Sequence, residues 1–253
     1  MSTITYDFTG ERFVVTGASS GMGRQIAVEL AEAGATVLAI ARRGERLAEL
    51  SQQYPGKIVS GVFDVRDSGR LAQAIKKFVA EHGKLHGAVH AAGMFPATPL
   101  RAYDDTIARE AMDINFWSAI RLIQIVNKKT NSEPRCSNII FSSISAYIGN
   151  KANFAYSGAK AAVQAAVRSI GKEISQTGKR INTISPGWVD TEMTLNSIEE
   201  GTSSSKVLDP LLLGRGKPED VSGMVLFLLS DRARWITGSD FVVDGGYLMG
   251  GYN

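Results

Sequence analysis

Short apolar runs alternate with segments of helical spacing along almost the whole chain, and no other feature restricts the fold as tightly. Arg12–Thr16 is an apolar run that stops at a glycine, which predicts a strand. Residues 17–23 read as a turn, and 24–33 carry Ile26, Ala27, Leu30 and Ala31 at helical spacing, closed by Gly34. The pairing then recurs. Strands are predicted over residues 36–40, 57–63, 85–90, 138–141, 180–185 and 239–243. Helices are predicted over 44–54, 68–82 and 218–230, the last with Pro218 in its first turn. A long amphipathic segment runs from 104 to about 129, and a helix containing Tyr156 extends to about 175. Strands that alternate with helices form a parallel sheet covered on both faces. The expected architecture is α/β, one doubly wound domain over residues 1–253 with a seven-stranded parallel sheet. The least regular stretch, 194–209, is expected to be a substrate lid, because a loop that long in a compact domain is either functional or disordered.

Bulk properties remove several classes of function. Hydrophobic residues make up 44% and charged residues 21% of the chain, ordinary values for a soluble globular protein. The net charge of +3 is not clustered: Arg42-Arg43 and Lys128-Lys129 are too short for a nucleic-acid arm. No apolar run reaches the ~20 residues that span a bilayer. Residues 1–7 show neither a basic nor an apolar leader pattern. The single cysteine, Cys136, excludes an intrachain disulfide and fits a reducing compartment. The expectation is a cytoplasmic protein with no membrane, nucleic-acid or metal partner.

The turn Gly17-Ala18-Ser19-Ser20-Gly21-Met22-Gly23 joins the first predicted strand to the first helix, with spacing G-x-x-x-G-x-G. Such a turn places backbone N–H groups and a positive helix end where a pyrophosphate can sit. The alternative is a plain glycine-rich βα turn. In NAD sites an acidic residue at the end of the second strand grips the ribose hydroxyls. Here that place reads Ala41-Arg42-Arg43. Guanidiniums suit a 2′-phosphate through paired, charge-assisted hydrogen bonds. NADP(H) is therefore favoured over NAD(H), with Arg42 the first choice, unless the arginines only solvate the start of the next helix. Just past the third strand, Asp64 and Val65 either contact the adenine or, for Asp64, cap the following turn.

Tyr156 and Lys160 are four residues apart, on one face of a helix. A free phenol has a pKa of roughly 10. An ammonium about 4 Å away, at an effective dielectric of about 20, favours the phenolate by roughly 4 kcal/mol. That brings a tyrosine near the working pH as a general acid or base.

Taken in order, Thr16-Gly17-x-x-x-Gly21-x-Gly23, Asp64-Val65, Ala92-Gly93, Asn115, Ser143, Tyr156-x-x-x-Lys160 and Pro186-Gly187 make the chain similar to the short-chain dehydrogenases/reductases over nearly its whole length. Within that family it resembles bacterial 3-oxoacyl-thioester reductases. The resemblance implies a Rossmann-type fold and a catalytic set. Ser143 would polarise a substrate carbonyl, and Tyr156 would give or take the proton. Lys160 would lower the phenol pKa and hold the nicotinamide ribose. Asn115 would support a water relay, or only bridge helix to sheet. Ala92 and Gly93 would join Gly17, Ser19, Ser20, Gly21, Met22 and Gly23 around the cofactor, as would Pro186, Gly187 and Val189. Thr191 would bind the nicotinamide carboxamide, or only cap the segment after it. Two features depart from the family. His90-Ala91-Ala92-Gly93 stands where Asn-Asn-Ala-Gly is common, and Ser20 stands where many NADP-binding relatives carry a basic residue. His90 reads as a packed structural histidine.

Tyr147, Ile148, Asn150, Trp188 and Met193, with Met94 and Phe95, are expected to line a mostly apolar substrate pocket, or in part to be core. The lid carries Glu199 and Glu200 against Lys206, which gives no docking place for an acidic carrier protein. Relatives pair through the helices of Asn115 and Tyr156, and a homotetramer is expected, with the tail Tyr247-Leu248-Met249 at a second contact. The expected function is hydride transfer between NADP(H) and a small carbonyl or secondary alcohol. An NAD-dependent sugar, polyol or steroid dehydrogenase is the alternative within the fold. A dinucleotide sensor without turnover is a third reading, against which both Tyr156 and Lys160 speak.

Overall fold

A computed structural model of the chain describes residues 4–199 and 211–250. At its centre is a parallel sheet of β1 (Arg12–Thr16), β2 (Thr36–Ala41), β3 (Ile58–Val62), β4 (Leu85–His90), β5 (Ser132–Phe141), β6 (Arg180–Pro186) and β7 (Asp240–Val243). Their order is β3-β2-β1-β4-β5-β6-β7, every neighbouring pair parallel. The chain winds outward from β1 to β3, then returns to lay β4 on the other side of β1. That reversal opens a crevice at the carboxyl ends of β1 and β4, where Thr16 lies opposite His90.

Successive side chains of a strand face opposite ways, and here both ways are buried. Phe13, Val15, Val37 and Ala39 pack with α1 (Gly21–Glu32), α2 (Gly44–Gln53) and α8 (Pro218–Leu229). Val14, Leu38 and Ile40 pack with α3 (Ser68–His82) and α5 (Ser118–Val126) on the other face. There α6 (Phe154–Ile174) lays Val163 and Val167 against Ile140 and Ile181. Each such side chain, fully buried, contributes about 1.5–3 kcal/mol.

Three elements depart from the pattern read in the sequence. β5 begins at Ser132 rather than 138; its early part, Ser-Glu-Pro-Arg, lacks apolar alternation and meets β4 only across a register break between Leu85 and Gly87. The segment over 104–129 is not one helix. It is α4 (Asp105–Met112), a π-helical turn (Asp113–Trp117) and α5, and the extra residue of the π turn leaves no mark in an amphipathic pattern. Finally, Glu192–Glu199 forms α7, inside the stretch read as irregular, while 200–210, including Glu200, Lys206 and Asp209, lies outside the described residues.

Candidate active site

Between β1 and α1 the chain turns with almost no space for side chains. Gly17 has φ +71°, and a Cβ there would lie 2.7 Å from the Ala92 nitrogen in the segment after β4. A Cβ on Gly23 would lie 2.5 Å from the Gly17 carbonyl oxygen. The turn is thus pressed onto its neighbours, which only glycine permits. Ser20 is the residue before α1, yet its side chain makes no capping bond, and the first turn of α1 holds no acidic residue. Its N–H groups are left to an anionic ligand.

A cavity of about 380 Å³ opens above this turn and continues past the end of β2 to the start of α7. Its walls include Gly17, Ser19, Ser20, Gly21, Met22 and Gly23 of the turn, Arg42 and Arg43, Asp64 and Val65, Ala92 and Gly93, and Thr191. Arg42 is exposed, 4.0 Å from the Asp64 carboxylate. Arg43 instead lies along the turn. Its Nε donates to Ser19 Oγ at 3.1 Å, its Nη2 to Ser20 Oγ, and its Nη1 to Glu192 Oε2 at 2.6 Å. Asp64 accepts from the Arg66 backbone N–H at 2.9 Å and from its guanidinium, so it does cap the turn that follows it. Pro186, Gly187 and Val189 do not wall the cavity. Gly187 N–H donates to the Val243 carbonyl at 2.9 Å, and buried Val189 bridges to Gly216.

At the ends of β4 and β5 a second group of side chains meets. Ser143 Oγ accepts from the Ser145 N–H at 3.1 Å, and a hydrogen bond joins Ser143 to the Tyr156 phenol. Tyr156 lies in the first turn of α6, its ring edge-on to Phe95 with centroids 4.7 Å apart. Lys160 is 3% exposed; its Nζ donates to the Phe141 carbonyl at 2.8 Å and lies 5.6 Å from the Tyr156 ring centre. Asn115 sits in the π turn, fully buried. Its Nδ2 donates to the carbonyls of Met94 and Ala111, both at 2.9 Å, and its Oδ1 accepts from Met94 N–H at 3.2 Å. A Cβ on Gly93 would come within 2.9 Å of Asn115 Oδ1 and 3.9 Å of Lys160 Nζ, so these three are packed together.

Burial sets the charge of this group. It pulls the Lys160 ammonium down to about 7. It pushes the Tyr156 phenol up, and the bond from Ser143 pulls the other way. The Lys160 Nζ, 5.6 Å from the ring centre, is bonded to the Phe141 carbonyl and itself loses charge to desolvation, so burial and Ser143 are the leading influences on the phenol. His90 is fully buried, held low at about 3 by burial and then by Lys160. Its Nε2 meets Ser118 Oγ at 2.7 Å, and Ser118 donates to the Ile114 carbonyl at 2.6 Å, so His90 is a neutral packed side chain with the proton on Nε2.

Comparison with known proteins places this geometry. The sequence pattern of the family described as Enoyl-(Acyl carrier protein) reductase matches residues 17–248. The chain is 30% identical over 245 residues to the 3-oxoacyl-(acyl-carrier-protein) reductase of Escherichia coli, covering 96% of this chain and 99% of that one. It is likewise 30% identical over 244 residues to the L-xylulose reductase of Caenorhabditis elegans, covering 96% and 97%. A short-chain type dehydrogenase/reductase from Mycobacterium ulcerans superposes with a TM-score of 0.89 at 30% identity, over 97% of this chain and 92% of that one.

The chain belongs to the short-chain dehydrogenase/reductase family. It is an oxidoreductase of that family, which uses nicotinamide dinucleotides. Among the described residues no helix is long and apolar enough to cross a membrane, and no cluster of His, Cys, Asp or Glu is arranged to hold a metal.

Of the side chains the sequence places near a substrate, Met94 and Met193 wall the cavity of this dehydrogenase/reductase. Tyr147 and Trp188 do not. The Tyr147 hydroxyl donates to Asp240 on β7 at 2.5 Å, and the Trp188 carbonyl accepts from Gly216 N–H at 3.0 Å. Thr191 precedes α7, where its Oγ1 accepts from Thr194 N–H at 3.4 Å. Sequence reasoning missed Glu192, Arg46 and Arg66. Glu192 meets Arg43 across 149 positions of chain, and no local pattern signals such a pair.

One pH effect follows from Lys160. The unfolded chain keeps this proton up to about 10.5, while the folded protein releases it from about 7. Between those limits the unfolded state binds more protons, so this group makes stability rise with pH over that window. Melting temperature against pH should therefore climb less steeply from pH 7 to 10 in Lys160→Met than in the unaltered protein. Parallel curves would show that the ammonium is not depressed.

Proposed function

We propose that this protein reduces a small carbonyl substrate with NADPH, and oxidises the matching secondary alcohol in reverse. The observation that carries the reading is the Ser143–Tyr156 hydrogen bond beside buried Lys160, with the phenol kept protonated by burial. A protonated phenol is the form that donates to a developing alkoxide.

The residues present fit a dinucleotide: a turn whose glycines leave the backbone bare, uncapped N–H groups on α1, and two guanidiniums at the end of β2. When bound, the nicotinamide would supply the hydride. Ser143, its oxygen already taken by the Ser145 N–H, turns its own proton to the substrate carbonyl oxygen. Tyr156 delivers its proton to that oxygen as charge develops. Lys160 restores the proton and holds the ribose hydroxyls, and Asn115 fixes the Met94 backbone that faces them. Ala92, Gly93 and Thr191, which wall the cavity, complete the cofactor contacts, with Met94 and Met193 against the substrate.

Arg42 selects the 2′-phosphate in this reading, because it is exposed at the cavity wall with only one long ion pair. Arg42→Asp is expected to lower the ratio of NADPH to NADH efficiency by about 10²-fold, as an attraction becomes a repulsion. Initial rates with both cofactors over a panel of ketones check it, and an unchanged ratio refutes the role of Arg42. A stable preference for NADH in the unaltered protein would favour the NAD-dependent alternative.

We further propose a cytoplasmic homotetramer with residues 194–209 as the lid. Trp117 and Phe154 remain 49% and 44% exposed on the π turn and α6, a surface a second copy would cover. Light scattering at micromolar concentration should give four times the mass of one chain; a monomer removes the proposal.

A further inference from the structure

The start of α7 is fastened onto the cofactor cavity by charge. Glu192 Oε2 accepts from Arg43 Nη1 at 2.6 Å, and its Oε1 accepts from Arg46 Nη1 on α2. These contacts join α7 to the far wall of the cavity, across the glycine turn. Beside them, a Cβ built on Gly21 would lie 3.0 Å from Thr191 Cγ2, so the residue before Glu192 also rests on that turn. Each of the three Arg43 nitrogens already donates there: Nε to Ser19 and Nη2 to Ser20, besides Nη1 to Glu192.

Glu192 also stands between two spaces. It walls the 380 Å³ cavity, and it walls a neighbouring hollow bounded by Arg24, Gln25 and Arg46. Arg46 lines that hollow too, so a carboxylate turned toward it would leave Arg43 with Arg46 still beside it.

We infer that Glu192 is a built-in competitor for the 2′-phosphate: its carboxylate occupies the Arg43 guanidinium, and NADP(H) must displace it onto Arg46 to bind. A carboxylate and a phosphate monoester recognise the same planar donor fork, so both cannot hold Arg43 fully. Glu192 thereby sets how strongly this protein discriminates between the two dinucleotides, and it ties the position of α7 to which one is bound. The inference rests on the NADP(H) reading above, with Arg43 as the second guanidinium on the 2′-phosphate beside Arg42.

The test compares the unaltered protein with Glu192→Gln and Glu192→Ala, by titration calorimetry with NADPH, NADH, adenosine 2′,5′-bisphosphate and 5′-AMP. Only the Glu192–Arg43 pair is given up on binding, and one exposed ion pair amounts to at most about a fivefold change. Both variants are expected to bind NADPH and the 2′,5′-bisphosphate about fivefold more tightly, with NADH and 5′-AMP within about twofold. Unchanged 2′-phosphate affinity overturns the inference. So does equal weakening of all four ligands, which would make Glu192 a support for the fold of α7. If the unaltered protein prefers NADH, the NADP(H) reading fails on its own. The competitor role is still decided by whether the 2′,5′-bisphosphate tightens in the variants. Because Glu192 is an exposed side chain, circular dichroism of the variants should match the unaltered protein.

Discussion

Tyr156→Phe is expected to lower turnover by about 10³-fold while leaving NADPH affinity within a few fold. The substitution removes one oxygen and keeps the ring, so the edge-on packing with Phe95 survives. What disappears is the proton that burial keeps on the phenol. Neighbouring groups cannot replace it. Lys160 is turned to the Phe141 carbonyl, His90 is neutral with its Nε2 committed to Ser118, and the Ser143 hydroxyl is far too weak an acid to stand in. Single-turnover rates with saturating NADPH separate chemistry from binding. A variant that retained more than about a tenth of the rate would require another acid, and the proposed chemistry would fall.

Gly23→Ala should damage cofactor binding and stability together, by a route that has nothing to do with proton transfer. Its Cβ would stand 2.5 Å from the Gly17 carbonyl oxygen and 2.8 Å from the Gly17 carbonyl carbon. Both are backbone atoms of the same turn, and Gly17 is itself pinned against Ala91 and Ala92. The turn cannot yield without moving the cavity floor. Overpacking of this kind costs about 1–3 kcal/mol. For a chain of this size that lowers the melting temperature by about 2–10 °C. NADPH affinity should fall by more than about tenfold, because α1 must tilt and its N–H groups lose their aim. A variant that melts and binds like the unaltered protein would show that the turn tolerates a side chain.

The sheet was legible because its strands are buried on both faces and announce themselves as apolar runs. Arg12–Thr16, Ser68–His82 and Leu85–His90 lie at the boundaries read from the residues. β5 was cut short because its polar start pairs across a register break. The π turn stayed hidden because five residues, Asp113–Trp117, are too few to set a period of their own between α4 and α5. Within the site, the glycine turn and Tyr156-x-x-x-Lys160 are local motifs. Tyr147 was drawn toward the substrate by its closeness in sequence to Ser143, yet its hydroxyl bonds to Asp240, 93 positions on.

The residues themselves determined the alternation of strand and helix, the bare turn after β1, the missing acid at the end of β2, and a phenol and an amine on one turn of helix. Each of these rests on chemistry within a few positions of chain, where spacing and side-chain type suffice. Tertiary structure alone decided the charge of Lys160, the partner of Tyr147 and the hold of Glu192 on Arg43. Desolvation and ion pairing depend on which distant segments close over a group, and that is settled only when the sheet and its helices have packed.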